Sequence, residues 1–212
     1  EMQRSLVGSE MCIRDRSLEN QHKLMTVKVE SEVLRETQLV VCLLFQYAGM
    51  SFVDFAHLKE RNIKNGILDY NRQKTGTPMR LEILDTAELM RKELMGDKKP
   101  ASGYLFPFLS GTKTGYEAYL EYNAALSRFN RNLKALKKAA GIASDVTSYT
   151  IRHSFAMALK EQNVPIEMIS ELLGHKSIKT TQIYLRSFSL EKMTEVNSTC
   201  FGCVYNYVSK VG

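Results

Sequence analysis

The chain has 212 residues, of which 44% are hydrophobic and 25% are charged. These are globular values, and they exclude a disordered or collagen-like chain. The longest apolar run, 39–45, is too short to span a bilayer, and four cysteines without framework spacing fit a reducing, cytosolic compartment.

Residues 1–24 differ from the rest of the chain. The segment Ser5–Arg16 has no sustained helical or strand periodicity, and it resembles a translated sequencing adapter more than a protein segment. We therefore expect residues 1–24 to be a non-native or disordered leader that takes no part in the fold. The folded domain is expected to span residues 25–212.

The first part of this domain is predicted to contain helices and one hairpin. Apolar spacing predicts a buried helix over 30–48 that ends at Gly49, and Ser51 is a candidate N-cap for a short helix after it. Two β-like runs, 67–74 and 79–84, flank a Thr-Gly-Thr-Pro turn. Such runs around a turn predict a β-hairpin.

The remainder of the chain is predicted to be helical. Pro165 suits a helix start, and Gly174 suits the position just after a helix end. The predicted fold class is therefore mostly α with a small β-hairpin sheet near the N-terminal end, and residues 190–212 form a helical tail. The predicted helices cover 86–95, 116–140, 147–162, 165–173, 178–185 and 190–208.

The positive charge is concentrated in two stretches. The formal net charge is +6, yet 59–80 alone carries six basic residues against two acidic ones, and 127–160 carries seven against one. A polyanion such as DNA would bind such surfaces with release of counterions. A solvated helix face rich in Lys and Arg would give the same pattern in the second stretch, so charge alone leaves both interpretations open.

Four side chains could act together on a phosphodiester. Arg152 lies in the first turns of a predicted helix, His175 follows a glycine at a helix end, Tyr184 comes nine residues later, and Lys74 lies at the hairpin tip. Attack by a tyrosine on a phosphate needs cations and donors at the non-bridging oxygens and an acid for the leaving oxygen. Arg, His and Lys supply these groups without a metal.

Three motifs resemble those of the tyrosine recombinase (phage integrase) family. Leu172–Tyr184 is similar to the LGH…TTxxY box of its catalytic domain, Thr147–Phe155 to its HxxRH box, and Gln73–Gly76 to its β-hairpin lysine motif. Gly49–Leu58 resembles integrases carried by bacterial mobile elements. The resemblance covers about residues 30–195 and implies the fold of a DNA breaking-rejoining enzyme.

The resemblance also implies a role for each motif residue. Tyr184 would attack the scissile phosphate, forming a 3′-phosphotyrosyl link and a free 5′-hydroxyl. Arg152 would bind a non-bridging oxygen, and His175 would bind the phosphate or help to move the proton of the nucleophile. Lys74 would protonate the 5′-oxygen, and Tyr149 stands at the first position of the HxxR box. No metal or cofactor is expected.

The first arginine of the family has no counterpart at its two expected positions, which are Ala48 and Ser51 here. Loss of one preorganised transition-state donor costs about 3 kcal/mol, or roughly 10² to 10³ in rate. Either the activity is impaired or another basic residue compensates, for which Arg72 and Arg80 are the candidates. We favour compensation.

The resemblance implies double-stranded DNA as the partner, with a homotetramer on two duplexes when the protein is full-length, and a cytoplasmic location. The N-terminal core-binding domain of the family has no counterpart in the sequence, so we expect weak and poorly specific DNA binding from this chain alone. The residues expected to contact DNA are Arg72, Lys134, Lys137, Lys138, Lys176 and Lys179.

A DNA-binding module without chemistry is the competing interpretation. Residues 164–186 also resemble two helices joined by a short turn, as in helix-turn-helix proteins. Such a module would need none of the four candidate catalytic side chains. Their joint presence therefore favours the enzyme.

Overall fold

The computed structural model describes residues 18–100, 103–185 and 197–199. The helix predicted over 190–208 lies outside the described residues apart from 197–199. None of the helices in the described part is long and apolar enough to cross a bilayer. These helices are α1 (Leu18–Thr26), α2 (Glu32–Gln46), α3 (Phe52–Ala56), α4 (Asp85–Met95), α5 (Gly115–Ala139), α6 (Ser148–Glu161), α7 (Ile166–Leu172) and α8 (Ile178–Tyr184).

The predicted fold class is confirmed, because the described domain is mostly helical and contains one small antiparallel sheet. Each helix predicted between residues 30 and 185 is present, with bounds that differ by a few residues. Pro165 occupies the N-cap position of α7 and not its first helical position. Gly174 follows the end of α7 with a φ of +60°, as its predicted place after a helix end requires.

The sheet has three strands in the order β1 (Ile63–Lys64), β2 (Ile67–Asn71) and β3 (Pro78–Glu82). In the predicted hairpin, Tyr70 of β2 pairs with Met79 of β3, and both side chains are buried. Alternate residues of a strand point to one face, so this face packs on the core. Strand β1 was not predicted because two residues are too few to show an alternating pattern.

Helix α2 is the centre of the core. Residues 37–44 are all buried, and the helix packs against α1, α4, α5 and α6. A helix that is apolar on every side is expected to be enclosed by other elements. Aromatic side chains extend the core under α3, where Phe52 stacks on Phe129 with ring centroids 4.7 Å apart and Phe55 stacks on Phe106 at 4.1 Å. The segment between α2 and α3 is therefore held from both ends.

Helix α1 begins inside the segment assigned to the leader. It packs against α2 and α6, and Leu24 is only 1% exposed. The side-chain amide of Gln38 in α2 donates to the carbonyls of Leu24, at 3.1 Å, and Val27, at 2.8 Å. The expected boundary at residue 24 therefore lies within a helix of the domain. With two buried residues, α1 is too short to reveal its periodicity in the sequence.

We predict that Leu24→Ala lowers the free energy of unfolding by about 2–4 kcal/mol, because it removes buried methyl groups and leaves a cavity. Urea unfolding followed by circular dichroism measures this change. Leu18→Ala is the matched control in the same helix, since Leu18 is 40% exposed. If Leu24→Ala lowers the free energy of unfolding as little as Leu18→Ala does, α1 does not belong to the cooperative fold.

Candidate active site

Arg152 lies in the second turn of α6, where its side chain is 7% exposed. The helix starts in a capping box, in which the backbone N–H of Thr147 donates to Thr150 Oγ1 at 3.0 Å. One terminal nitrogen of the Arg152 guanidinium donates to the Gly49 carbonyl at 2.8 Å, and the other donates to the Leu173 carbonyl. Arg152 thus joins α6 to the segments that follow α2 and α7.

Arg72 places a second guanidinium beside that of Arg152. Its Nη1 donates to the Leu173 carbonyl at 2.8 Å and to the Gly174 carbonyl at 3.2 Å, so both arginines share the Leu173 oxygen. Arg72 is one of the predicted DNA contacts, and its side chain is 8% exposed. It continues the buried positions Leu68 and Tyr70, because every second residue from β2 faces inward.

Gly174 lets these groups approach. A Cβ atom at this position would lie 2.5 Å from Met79 Sδ and 2.7 Å from Arg72 Cδ. The left-handed φ of +60° would also strain any other residue. Glycine is therefore required both for the turn after α7 and for the space that the Arg72 side chain occupies.

Asp54 is a site residue that sequence reasoning missed. It is 2% exposed, and its Oδ2 accepts from Ser51 Oγ at 2.5 Å and from Arg72 Nε at 3.4 Å. Its Oδ1 accepts from the backbone N–H of Gln73 at 2.7 Å. Since Arg72 and Ser51 share one carboxylate oxygen, the Arg72 guanidinium lies next to position 51. The available signal was an acidic residue within the otherwise apolar Phe52–Ala56.

His175 follows Gly174, whose carbonyl accepts from the Arg72 guanidinium. Its Nδ1 lies 2.9 Å from Thr181 Oγ1 in α8. Burial, together with the positive charges of Arg152 and Arg72, lowers the pKa of His175 to about 4. The imidazole is therefore neutral at pH 7, and in this form it can both donate and accept a hydrogen bond. We call Arg72, Arg152, Asp54 and His175 the arginine cluster.

The other three predicted catalytic residues are Lys74, Tyr149 and Tyr184. Lys74 is exposed in the hairpin turn and makes no hydrogen bond or ion pair within the described part of the chain. Tyr149 is 54% exposed in the first turn of α6. Tyr184 is the last residue of α8, three residues after Thr181, and its side chain lies outside the described part. Hydrogen bonds therefore join Arg72 to Arg152 through the shared Leu173 carbonyl and to the carbonyl of Gly174, which precedes His175. Within the described part of the chain, Lys74 has no hydrogen bond to this cluster.

The remaining predicted DNA contacts are mostly on the surface. Lys134 and Lys138 of α5 are exposed, as are Lys176 and Lys179 around the start of α8. Lys137 is half-buried, and its ammonium lies 3.4 Å from the Asp145 carboxylate. Four of the six predicted contacts are thus available to a polyanion.

The arginine cluster can bind an oxyanion. Its described groups carry two positive charges and one negative charge, in a place where burial weakens solvent screening. A guanidinium presents donors in a planar fork that matches phosphate oxygens. Among the described residues, no group of three or more His, Cys, Asp or Glu side chains could hold a metal ion.

Sequence comparison relates the chain to tyrosine recombinases. The family model described as the phage integrase family matches residues 18–191. A 54-residue segment is 52% identical to the tyrosine recombinase XerD of Lacticaseibacillus casei, and covers 26% of this chain and 18% of that protein. A 75-residue segment is 41% identical to the tyrosine recombinase XerC of Rickettsia typhi, and covers 35% of this chain and 24% of that protein. The matches thus span at most about a quarter of these relatives.

Solved structures share the fold. The crystal structure of XerA recombinase matches with a TM-score of 0.63 and 20% identity, over 86% of this chain and 62% of that chain. XerH recombinase bound to a palindromic difH substrate matches with a TM-score of 0.60 and 21% identity, over 86% and 52%. The Tn1549 transposon integrase, in complex with a circular intermediate DNA, matches with a TM-score of 0.60 and 14% identity, over 84% of this chain and 63% of that chain.

The lowered pKa of His175 predicts a dependence of stability on pH. Between pH 6.5 and about 4 the unfolded chain binds the proton that folded His175 does not, so stability falls as the pH falls through this window. Between pH 7 and pH 5, His175 should lower the free energy of unfolding by about 1–2 kcal/mol, after allowance for its partial exposure to solvent.

Urea unfolding of the parent and of His175→Gln at the two pH values measures this contribution as a difference. His175→Gln should show the smaller loss, because glutamine does not titrate. His22→Gln, at an exposed position of α1, is the control and should keep the parent's loss. The same loss in the parent and in His175→Gln would contradict the assignment.

Proposed function

Because the chain belongs to the phage integrase family, whose model matches residues 18–191, we propose that it contains the catalytic domain of a tyrosine-type site-specific DNA recombinase. The domain cuts a DNA strand, holds its 3′-phosphate on Tyr184 and rejoins it to the 5′-hydroxyl of another strand. The observation that carries this proposal is the buried pair of guanidinium groups that share the Leu173 carbonyl, two residues before His175.

The arginine cluster supports phosphate chemistry through its composition. Residues far apart in the sequence, Arg72, Arg152 and His175, meet around the Leu173–Gly174 peptide. Positively charged and neutral donors in one water-poor place stabilise the negative charge that develops on phosphate oxygens in the transition state. Helix α8, which carries Tyr184, is tied to His175 through Thr181.

The chemical step exchanges one phosphodiester for another. The Tyr184 hydroxyl loses its proton to a phosphate oxygen or to solvent, and its oxygen bonds to phosphorus while the bond from phosphorus to the 5′-oxygen breaks. Lys74 gives a proton to that leaving oxygen. In rejoining, a 5′-hydroxyl attacks phosphorus and the bond to Tyr184 breaks. The phosphotyrosyl bond keeps the energy of the broken linkage, so the exchange needs no ATP.

We further propose that Arg72 replaces the missing first arginine. Its Nε shares a carboxylate oxygen of Asp54 with the hydroxyl of Ser51, at the position where that arginine is expected. Arg80, the other candidate, is exposed on β3, where its pairing partner is Asp69 of β2. The contacts of Arg72 support compensation, and within the described part of the chain Arg80 has no comparable contact.

The partner we propose is double-stranded DNA, bound by the exposed lysines of α5 and α8. The assembly is a homotetramer on two duplexes when the protein is full-length, and a DNA substrate implies action in the cytoplasm. Two solved relatives of the same fold, XerH and the Tn1549 integrase, are described in complex with DNA. Membership of a mobile element stays a prediction from Gly49–Leu58.

Incubation of the domain with a nicked suicide DNA substrate should give an SDS-resistant protein–DNA adduct, because the cut strand cannot be rejoined. Tyr184→Phe should abolish the adduct, since phenylalanine has no nucleophilic oxygen. Tyr119→Phe, at an exposed tyrosine of α5, is the control and should leave it unchanged. DNA binding by the parent without any adduct would favour the competing non-catalytic module.

The role of Arg72 can be separated from that of Arg80 by conservative substitution. Arg72→Lys should slow adduct formation by roughly 10² to 10³, because lysine lacks the guanidinium fork. Arg80→Lys should react like the parent. Adding Ser51→Arg to Arg72→Lys should restore part of the rate, because it returns a guanidinium to the neighbouring position. Equal rates for the two lysine variants would show that Arg72 does not compensate.

A further inference from the structure

The hydrogen bond between Thr181 and His175 connects the two halves of the LGH…TTxxY box. Thr181 lies in α8, is 0% exposed, and its Oγ1 lies 2.9 Å from His175 Nδ1. A hydroxyl and a neutral imidazole nitrogen can each donate or accept. The direction of this bond decides which ring nitrogen carries the proton.

The burial of Thr181 determines that direction. Within the described part of the chain, His175 Nδ1 is the only hydrogen-bond partner of the Thr181 side chain. Thr37 of α2, by contrast, donates to a backbone acceptor, the Val33 carbonyl, at 2.7 Å. An unpaired buried hydroxyl donor is unfavourable. The Thr181 proton therefore points to Nδ1, which accepts it through its lone pair.

The state of the imidazole follows from this direction. A neutral imidazole that accepts at Nδ1 carries its own proton on Nε2. Burial and the neighbouring Arg152 and Arg72 keep the ring neutral, because they lower the pKa of His175 to about 4. Nε2 is then a hydrogen-bond donor and cannot accept a proton.

We propose that Thr181 is a positioning residue that holds His175 in the Nε2–H tautomer, so that His175 donates to a non-bridging oxygen of the scissile phosphate. This inference rests on the proposed function, and it chooses between the two roles that the resemblance leaves to His175. In this tautomer Nε2 cannot take the proton of Tyr184, which passes to a phosphate oxygen or to solvent.

The tautomer can be observed without activity. Long-range ¹H–¹⁵N correlation spectra of ¹⁵N-histidine-labelled protein at pH 7 distinguish Nε2–H from Nδ1–H rings, and loss of a signal in His175→Gln assigns the resonance. The parent should show the Nε2–H pattern for His175. In Thr181→Val, which keeps the side-chain shape and removes the hydroxyl, the Nδ1–H form should gain population.

Cleavage kinetics supply the second readout. Thr181→Val should slow adduct formation about tenfold, the equivalent of one net hydrogen bond. Thr181→Ser, which keeps the hydroxyl, should react within about twofold of the parent and keep its tautomer. Thr180→Val is the matched control, because Thr180 is exposed in the same turn of α8.

Each outcome bears on the inference. An Nδ1–H pattern in the parent overturns it, and so does a Thr181→Val variant whose tautomer and rate equal those of the parent. If Thr181→Val does not fold, the parent spectrum and Thr181→Ser still decide the direction of the bond. A parent that forms no adduct but shows the Nε2–H pattern would reject the proposed function and leave the tautomer assignment standing.

Discussion

The burial of Arg72 and Arg152 side by side is the constraint on which the architecture around the site depends. Two guanidinium groups that share the Leu173 carbonyl repel each other, and burial strengthens that repulsion. The fold compensates with the Asp54 carboxylate and with the carbonyls of Gly49 and Gly174. A buried charge without such partners would be strongly destabilising.

The two arginines and the groups that bind them come from different elements. Asp54 belongs to α3, Arg72 follows β2, Arg152 lies in α6, and the shared carbonyl follows α7. Helix α2 and the aromatic stacks beneath α3 hold these elements in place. The polar contacts of the arginine cluster thus hold these elements together. They also produce a buried site with a net positive charge.

The neutral histidine is a consequence of the same charges. A protonated imidazole would be a third cation beside Arg72 and Arg152, and the lowered pKa of His175 reflects that repulsion as well as burial. The arginines thus supply positive charge, while the neutral histidine is hydrogen-bonded to Thr181. Asp54 has a comparable double effect, because it holds Arg72 next to Ser51 and also binds the backbone of the turn that carries Lys74.

A large part of the molecule follows from local sequence alone. The apolar spacing of α2, α5 and α6 and the glycine after α7 predict their elements within a few residues, because helix formation depends on near neighbours. The motif residues Arg152, His175 and Tyr184 are likewise recognisable from type and spacing. Helix α1 and strand β1 escape prediction because neither is long enough to show a period.

The tertiary structure decided what the charged and polar side chains do. Arg72 stands in a basic stretch that predicts exposure, yet its alternation with Leu68 and Tyr70 and the gap at Gly174 bury it beside Arg152. Asp54 and Thr181 look like ordinary helix residues until the chain brings Arg72 and His175 to them. Local propensity determines elements, but the partner of a buried polar group is set by residues distant in sequence, because only packing removes that group from water.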